Sequence, residues 1–270
     1  MIKIENTQVV GLEPALRGMR NPMNSWNKSD SFCDDKCSEC SDNQKCAFYF
    51  SERGTGKKYR SGFYIGPNDE ELMLKLASAG PVHGKFRRMI IVYVDITAPL
   101  YWWKEFDTYK VRTVANSCST MHKIAAKEFT LDDFSNEHLI NCYAGDDTDC
   151  WVRASEYSDN VIEPFDVLKI TIQMLNKART LYLEYQERAK TGDQYAIDHV
   201  KDYWWQMIQL LPSSYNQKRT VMLSYEVLAG MHPYGKDHKQ DEWRIFDKWI
   251  LDLPNSKIIT CSSDKQPEGR

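Results

Sequence analysis

The sequence predicts a mixed α/β fold, with strands mostly early and helices dominating the second half. Three observations predict it. Met89-Ile90-Ile91-Val92-Tyr93-Val94-Asp95-Ile96 is an apolar, β-branched run of the kind that forms a buried strand. Leu168, Ile172, Leu175, Ala178 and Tyr182 recur at spacings of three and four, which is one face of a long helix. The chain has 270 residues, 42% hydrophobic and 27% charged, long enough for a substantial core and ordinary for a globular protein.

The elements follow in order. Residues 1–6 alternate like a strand, and 13–20 read as a short helix ended by Asn21-Pro22. Residues 25–50 form a polar, Cys-rich inserted loop. A second helix begins at Asn68, which caps it while Glu71 answers three residues on. Leu72, Leu74, Leu76 and Ala77 supply its apolar surface, and Gly80-Pro81 stops it. Residues 83–96 then lead into the strand. Thr130 caps a further helix starting at Leu131-Asp132-Asp133, and 141–160 read as a loop insertion. The long helix starts at Glu163-Pro164 and ends at Thr191-Gly192. A helix over 194–211 buries Ala196, Val200, Trp204 and Ile208. The last, over 237–251, uses Trp243, Phe246 and Ile250.

A formal net charge of −3 gives no broad electrostatic ground for nucleic-acid binding, and no apolar run approaches a membrane span. Residues 1–6 lack the apolar core of a signal peptide, so a cytoplasmic protein is expected. The eight cysteines are then thiols or metal ligands rather than disulfides. Cys33, Cys37, Cys40 and Cys46 fall within fourteen residues, and four thiolates at that spacing can close a tetrahedral zinc site. An Fe–S cluster and loose cytosolic thiols are the alternatives. The Trp102-Trp103 and Trp204-Trp205 pairs suit a core, an interface or a flat aromatic ligand.

Behind the strand, residues 98–122 gather hydroxyls, an amide, a thiol, an imidazole and cations, a composition that suits a ligand site on a rigid scaffold or an ordinary polar turn. Cys118, flanked by Ser117 and Ser119 and near Arg112 and His122, is a candidate nucleophile if its thiol is activated; a small buried residue is the plainer reading.

In three places the chain resembles the flavin-dependent thymidylate synthases, ThyX. His83-Gly84-Lys85-Phe86 leads into the strand where that family has a flavin-contacting His segment. Asn116-Ser117-Cys118-Ser119 matches an Asn-Glu-x-Ser core at its Asn and Ser. Leu211-Pro212, then His238-Lys239-Gln240-Asp241-Glu242-Trp243-Arg244, matches a His-Ala-Gln-x-Glu-Ile-Arg segment at His, Gln, Glu and Arg. The likeness runs over about 65–250. The family's Arg-His-Arg falls on Tyr109-Lys110-Val111, its core Glu on Ser117, and a later Arg on Met121.

The resemblance implies a single ThyX-like domain over 1–270 with a central, mostly antiparallel sheet, several helices, and sites shared between subunits of a homotetramer. It also implies FAD as cofactor, dUMP as substrate, a folate one-carbon donor and reduced nicotinamide (NADPH) as electron source, with no nucleic acid or membrane as partner. On that pattern Ser119 stands at the reacting base, and Cys118 is the catalytic candidate only if the same frame is put to nucleophilic use. Ser117, Ser119, Arg112, His122, Gln240, Glu242 and Arg244 hold the nucleotide. His83, Tyr109, Lys110, Asn116 and His238 face the flavin. The departures leave a second class of reading, a ThyX-like paralogue with altered chemistry that serves as a nucleotide-binding or regulatory protein. A variant nucleotide-modifying enzyme is a third.

Overall fold

The computed structural model describes residues 1–33, 49–51, 58–60, 63–109, 113–140, 152–153 and 161–261. Lys110, Arg112, Cys37, Cys40 and Cys46 lie outside the described residues, as do most of the loops expected over 25–50 and 141–160. The chain divides into two compact units: Met1, Ala98–Lys104 and Ser117–Lys218 in one, and Ile2–Thr97, Glu105–Asn116 and Arg219–Arg270 in the other. No helix among the described residues is long and apolar enough to cross a membrane.

The second unit carries most of an antiparallel four-stranded sheet of order β1-β2-β4-β3, made of β1 (Lys3–Val10), β2 (Ile91–Pro99), β3 (Val114–Ser117) and β4 (Asn216–Ser224). The apolar run at 89–96 becomes β2, whose alternation buries Val92, Val94 and Ile96 and leaves Tyr93 outside. On the outer face Asp95 accepts hydrogen bonds from Asn6 Nδ2 at 2.9 Å and Thr220 Oγ1 at 2.6 Å, stitching three strands together. Strand β1 runs past residue 6 to Val10 because a bulge between Glu5 and Gln8, with Asn6 at φ 53°, resets its register against β2. β3 is an edge strand with all four residues exposed.

Helix α1 (Leu12–Arg20) buries Leu12, Ala15, Leu16 and Met19. The turn before it needs glycine: Gly11 has φ 92°, and a Cβ there would sit 2.1 Å from the Met89 carbonyl oxygen. Gly11→Ala is therefore expected to lower stability by about 1–3 kcal/mol, read in a denaturant melt. An unchanged midpoint would contradict this packing.

Helix α2 (Pro67–Ser78) corrects the sequence reading in two ways. Asn68 is not its cap. The N-cap is Gly66, and the free amides of Asn68 and Asp69 donate to the Asp30 carboxylate at 2.9 and 3.1 Å. Its buried face is Asp69, Met73 and Ala77, while Leu72, Leu74 and Leu76 are half-buried. Asp69 is wholly buried. It accepts Arg20 Nε at 2.6 Å, the Ser29 and Ser31 hydroxyls at 2.6 Å each, and the amides of residues 30 and 31 at 3.2 Å. Beside it Phe32–Cys33 pairs antiparallel with Phe63–Tyr64, and the Gly66 amide donates to Ser31 Oγ at 2.9 Å, so the two strands entering and leaving the Cys-rich segment meet at its base.

The C-terminal part was misjudged between 213 and 236. Two elements stand there that the sequence reading did not place, β4 and α6 (Tyr225–Gly235), and the last long helix, α7, starts at Asp241 and runs to Leu251. A short helix, α8 (Lys257–Thr260), follows. Tyr225 is fully buried and donates to the Pro254 carbonyl at 2.6 Å; His232 Nδ1 meets Asp247 Oδ1 at 2.6 Å between α6 and α7.

In the first unit α4 (Pro164–Lys190) and α5 (Gln194–Leu210) form an antiparallel hairpin. Helix α4 buries Leu168, Ile172, Leu175 and Ala178 as its spacing predicts. On α5 the fully buried positions are Met207 and Ala196; Met207 joins the core of Phe129, Phe134 and Leu175, Trp204 and Ile208 pack against that core half-buried, and Val200 is half-buried as well. Thr130 does cap, with Asp133 completing the box, but only a single 3-10 turn, Leu131–Asp133. Trp102 and Trp103 are core residues, and Trp103 Nε1 donates to the Gln217 carbonyl at 2.9 Å. Trp205 is half-exposed on a groove of about 910 Å³ along the hairpin.

Candidate functional site

Residues 84–89 form a 3-10 segment ahead of β2, with His83 as its N-cap. The adjacent arginines in it have opposite fates. Arg87 is buried: its Nε donates to Glu226 Oε2 at 2.7 Å and its Nη1 to the Ile258 carbonyl at 3.1 Å. Arg88 is exposed and lines two cavities. The larger, about 1000 Å³, has an apolar wall of Met19, Leu72, Leu76 and Phe86 with His83 and Lys85 among its polar groups. The smaller, about 440 Å³, is lined by Thr108, Tyr109, Ser224, Glu226, Val227 and Gly230 as well as Arg88. A Cβ on Gly230 would meet nothing within 4 Å, so the absent side chain leaves real space.

Tyr109 ends the 3-10 turn Asp107–Tyr109, which follows α3 (Leu100–Phe106) and is braced by Arg219 Nη1 donating to Asp107 Oδ1 at 3.1 Å. Its ring lies 5.7 Å from that of Trp243, which continues to Phe246 at 5.8 Å and Trp249 at 5.0 Å. Burial, then the nearby Glu105 and Tyr234, push the Tyr109 phenol above its ordinary value, so it stays a protonated donor at neutral pH.

Glu105 ties this wall to the start of α7. It accepts Trp243 Nε1 at 2.9 Å and meets His238 Nε2 at 3.2 Å. His238 Nδ1 accepts the Gln240 amide at 3.1 Å, which assigns the ring proton to Nε2 and makes it a donor to Glu105. Arg244 donates to the His238 and Lys239 carbonyls at 2.6 and 3.3 Å and pairs with Asp241, so its guanidinium shapes the loop carrying His238. Glu242 is buried, and Gln240 Oε1 is buried with no hydrogen-bond partner among the described residues.

The remaining candidates sit on and after β3. Asn116 and Ser117 are exposed on the edge strand. Cys118 is exposed; its amide donates to the Lys218 carbonyl at 2.9 Å and its own carbonyl accepts Gln217 Nε2 at 2.9 Å. Ser119 Oγ accepts the His122 amide at 2.9 Å, closing a local turn. Ser117, Cys118, Ser119 and His122 belong to the first unit, and Asn116, His83, Tyr109, His238, Gln240, Glu242 and Arg244 to the second. The structure thus brings His83 and Tyr109 onto adjoining cavities and links Tyr109 to His238 through Trp243 and Glu105.

Among the described residues no group of three or more His, Cys, Asp or Glu side chains is arranged to hold a metal ion. Arg88, Glu105 and Glu226 were missed by the sequence reading. The only available signal was the Arg87-Arg88 pair directly ahead of a buried strand.

No protein-family model matches the sequence, and no curated protein matches it. Solved structures do. ThyX from Helicobacter pylori, crystallised with FAD and dUMP, superposes with a TM-score of 0.53 at 13% identity over 97% of this chain and 99% of its own. A second structure of ThyX from Helicobacter pylori, complexed with FAD and dUMP, gives 0.52 at 14% identity over 93% and 94%. The UMP/dUMP methylase PolB from Streptomyces cacaoi, bound with 5-Br dUMP, gives 0.45 at 12% identity over 96% and 94%. The chain has a ThyX-like fold.

Proposed function

We propose that this protein binds FAD and a pyrimidine deoxynucleotide and transfers a one-carbon unit to the base, drawing on a folate donor and reduced nicotinamide. The observation that carries the reading is the pair of adjoining cavities sharing Arg88, with His83 on one and Tyr109 on the other. The fold's neighbours from Helicobacter pylori hold FAD and dUMP.

The residues present fit a flavin. An apolar wall of Met19, Leu72, Leu76 and Phe86 suits a planar ring, and Lys85 and Arg88 supply the positive charge that a diphosphate requires. Thr108, Ser224 and the protonated Tyr109 offer hydroxyls in the smaller space. A bound flavin would supply hydride transfer; the protein's part is to bind, orient and exclude water. Glu105 is held by Trp243 and His238, the Trp243 ring packs on Tyr109, and Arg87 neutralises Glu226 at the cavity's edge. Asn116, Lys110 and His238 are assigned to the flavin side. Arg112, Gln240, Glu242 and Arg244 are assigned to the nucleotide.

One observation favours the second reading, a paralogue with altered chemistry. The first arginine of the family's Arg-His-Arg falls on Tyr109, a phenol packed on Trp243 in place of a cation. Absorbance of the purified protein, repeated after adding FAD and dUMP, tests both. Flavin bands near one per chain, perturbed by dUMP, are expected. Binding without turnover of dUMP, folate donor and NADPH would favour the paralogue. A colourless protein indifferent to both ligands would sink the flavin reading.

A further inference from the structure

The two arginines at 87 and 88 differ in a way that packing alone does not require. Arg87 is consumed by Glu226 and the Ile258 carbonyl, both inside the second unit. Arg88 is exposed and, among the described residues, no carboxylate or carbonyl holds it, although it stands where the larger and the smaller cavity adjoin. Glu226, the carboxylate lining the smaller cavity, already faces Arg87 at 2.7 Å. Its negative charge is compensated and does not oppose an anion at Arg88.

Arg88 lines both cavities, so a ligand that occupied the two together would meet its guanidinium. The larger has an apolar wall for a flat ring and the smaller a set of hydroxyls, and a cation marks the junction. The ligand class with two ends of that kind joined by a doubly charged linker is a dinucleotide. A guanidinium presents a planar fork that matches phosphate oxygens bidentately, where a lysine offers a point charge.

We propose that Arg88 anchors the pyrophosphate of a dinucleotide lying across both cavities, a cation this chain supplies outside the ThyX-like Asn-x-x-Ser and His-x-Gln segments. The inference rests on the flavin reading and deepens it.

The test compares ligands that differ only in phosphate content. Flavin-free protein is titrated with riboflavin, FMN and FAD, following flavin fluorescence. The wild type binds FAD most tightly. Arg88→Gln weakens FAD about tenfold to a hundredfold, leaves riboflavin unchanged, and flattens the salt dependence of FAD binding. Arg88→Lys recovers part of the loss. Equal FAD affinity in the wild type and Arg88→Gln overturns the proposal, and so does an equal loss for riboflavin and FAD. Arg88→Met, with the same two outcomes, decides the matter if the Gln variant folds poorly. A wild type that binds no flavin at all is a different result, since it removes the flavin reading itself.

Discussion

Asp69→Asn is expected to destabilise the protein by about 3–5 kcal/mol, because it leaves the Arg20 guanidinium, itself buried, without its carboxylate. The change is nearly isosteric, so the loss measures charge and hydrogen bonding rather than a cavity. Burial alone would push the Asp69 carboxyl up, but the Ser29 and Ser31 hydroxyls and Arg20 outweigh it and hold the group below the ordinary aspartate range. A carboxyl depressed in the folded state stabilises fully above its unfolded value, about pH 4, and the contribution fades as pH falls through the lower folded value. Wild-type stability should therefore drop more steeply than that of Asp69→Asn below about pH 4. Urea melts at neutral and acid pH read both effects. A variant within about 1 kcal/mol of wild type at neutral pH would show that the knot around Asp69 is not a principal support.

Trp243→Ala is expected to cost about 3–5 kcal/mol and to weaken flavin binding as well. Trp243 is 2% exposed and holds three things at once: the Tyr109 ring at 5.7 Å, the Phe246 ring at 5.8 Å, and the Glu105 carboxylate through Nε1. Losing it empties the space behind the smaller cavity and frees Tyr109. Trp243→Phe separates the parts, since it keeps most of the packing and removes only the hydrogen bond, a loss of about 1 kcal/mol. Thermal melts and riboflavin titrations of both variants give the comparison. If Trp243→Ala melts early yet binds flavin as wild type, the wall behind Tyr109 has no part in the site.

What the sequence disclosed and what it hid follow from the range of the interactions. The α4 stripe was legible because Leu168, Ile172, Leu175 and Ala178 repeat within one helix and Glu163-Pro164 marks its start. The true cap of α2 was not, because Asp30 lies 38 residues from Asn68 and no local pattern reports such a partner. Strand β4 was hidden by the polar run Gln217-Lys218-Arg219-Thr220, and α6 carries Pro233 within it, which reads as a break. Among the cavity-lining residues, His83 and Tyr109 are named by resemblance to a motif. Arg88 was not, because only the burial of Arg87 sets the two neighbours apart. The ties of Glu105 to Trp243 and His238 span more than 130 residues and belong to the folded chain alone.

The closed base of the Cys-rich segment makes the fold tolerant of insertions there. Cys33 pairs with Phe63, the Gly66 amide reaches Ser31 and the Asp30 carboxylate caps α2, so the chain leaves and re-enters the unit at nearly one point. The entropy of closing a loop grows only logarithmically, at roughly 0.6 kcal/mol for each doubling of length. Residues between those anchors can thus be lengthened, exchanged or replaced by a foreign module at little thermodynamic expense to the sheet and the cavities. The stem is therefore a place where inserted residues cost the rest of the fold little, and Cys33, Cys37, Cys40 and Cys46 fall within the segment it closes.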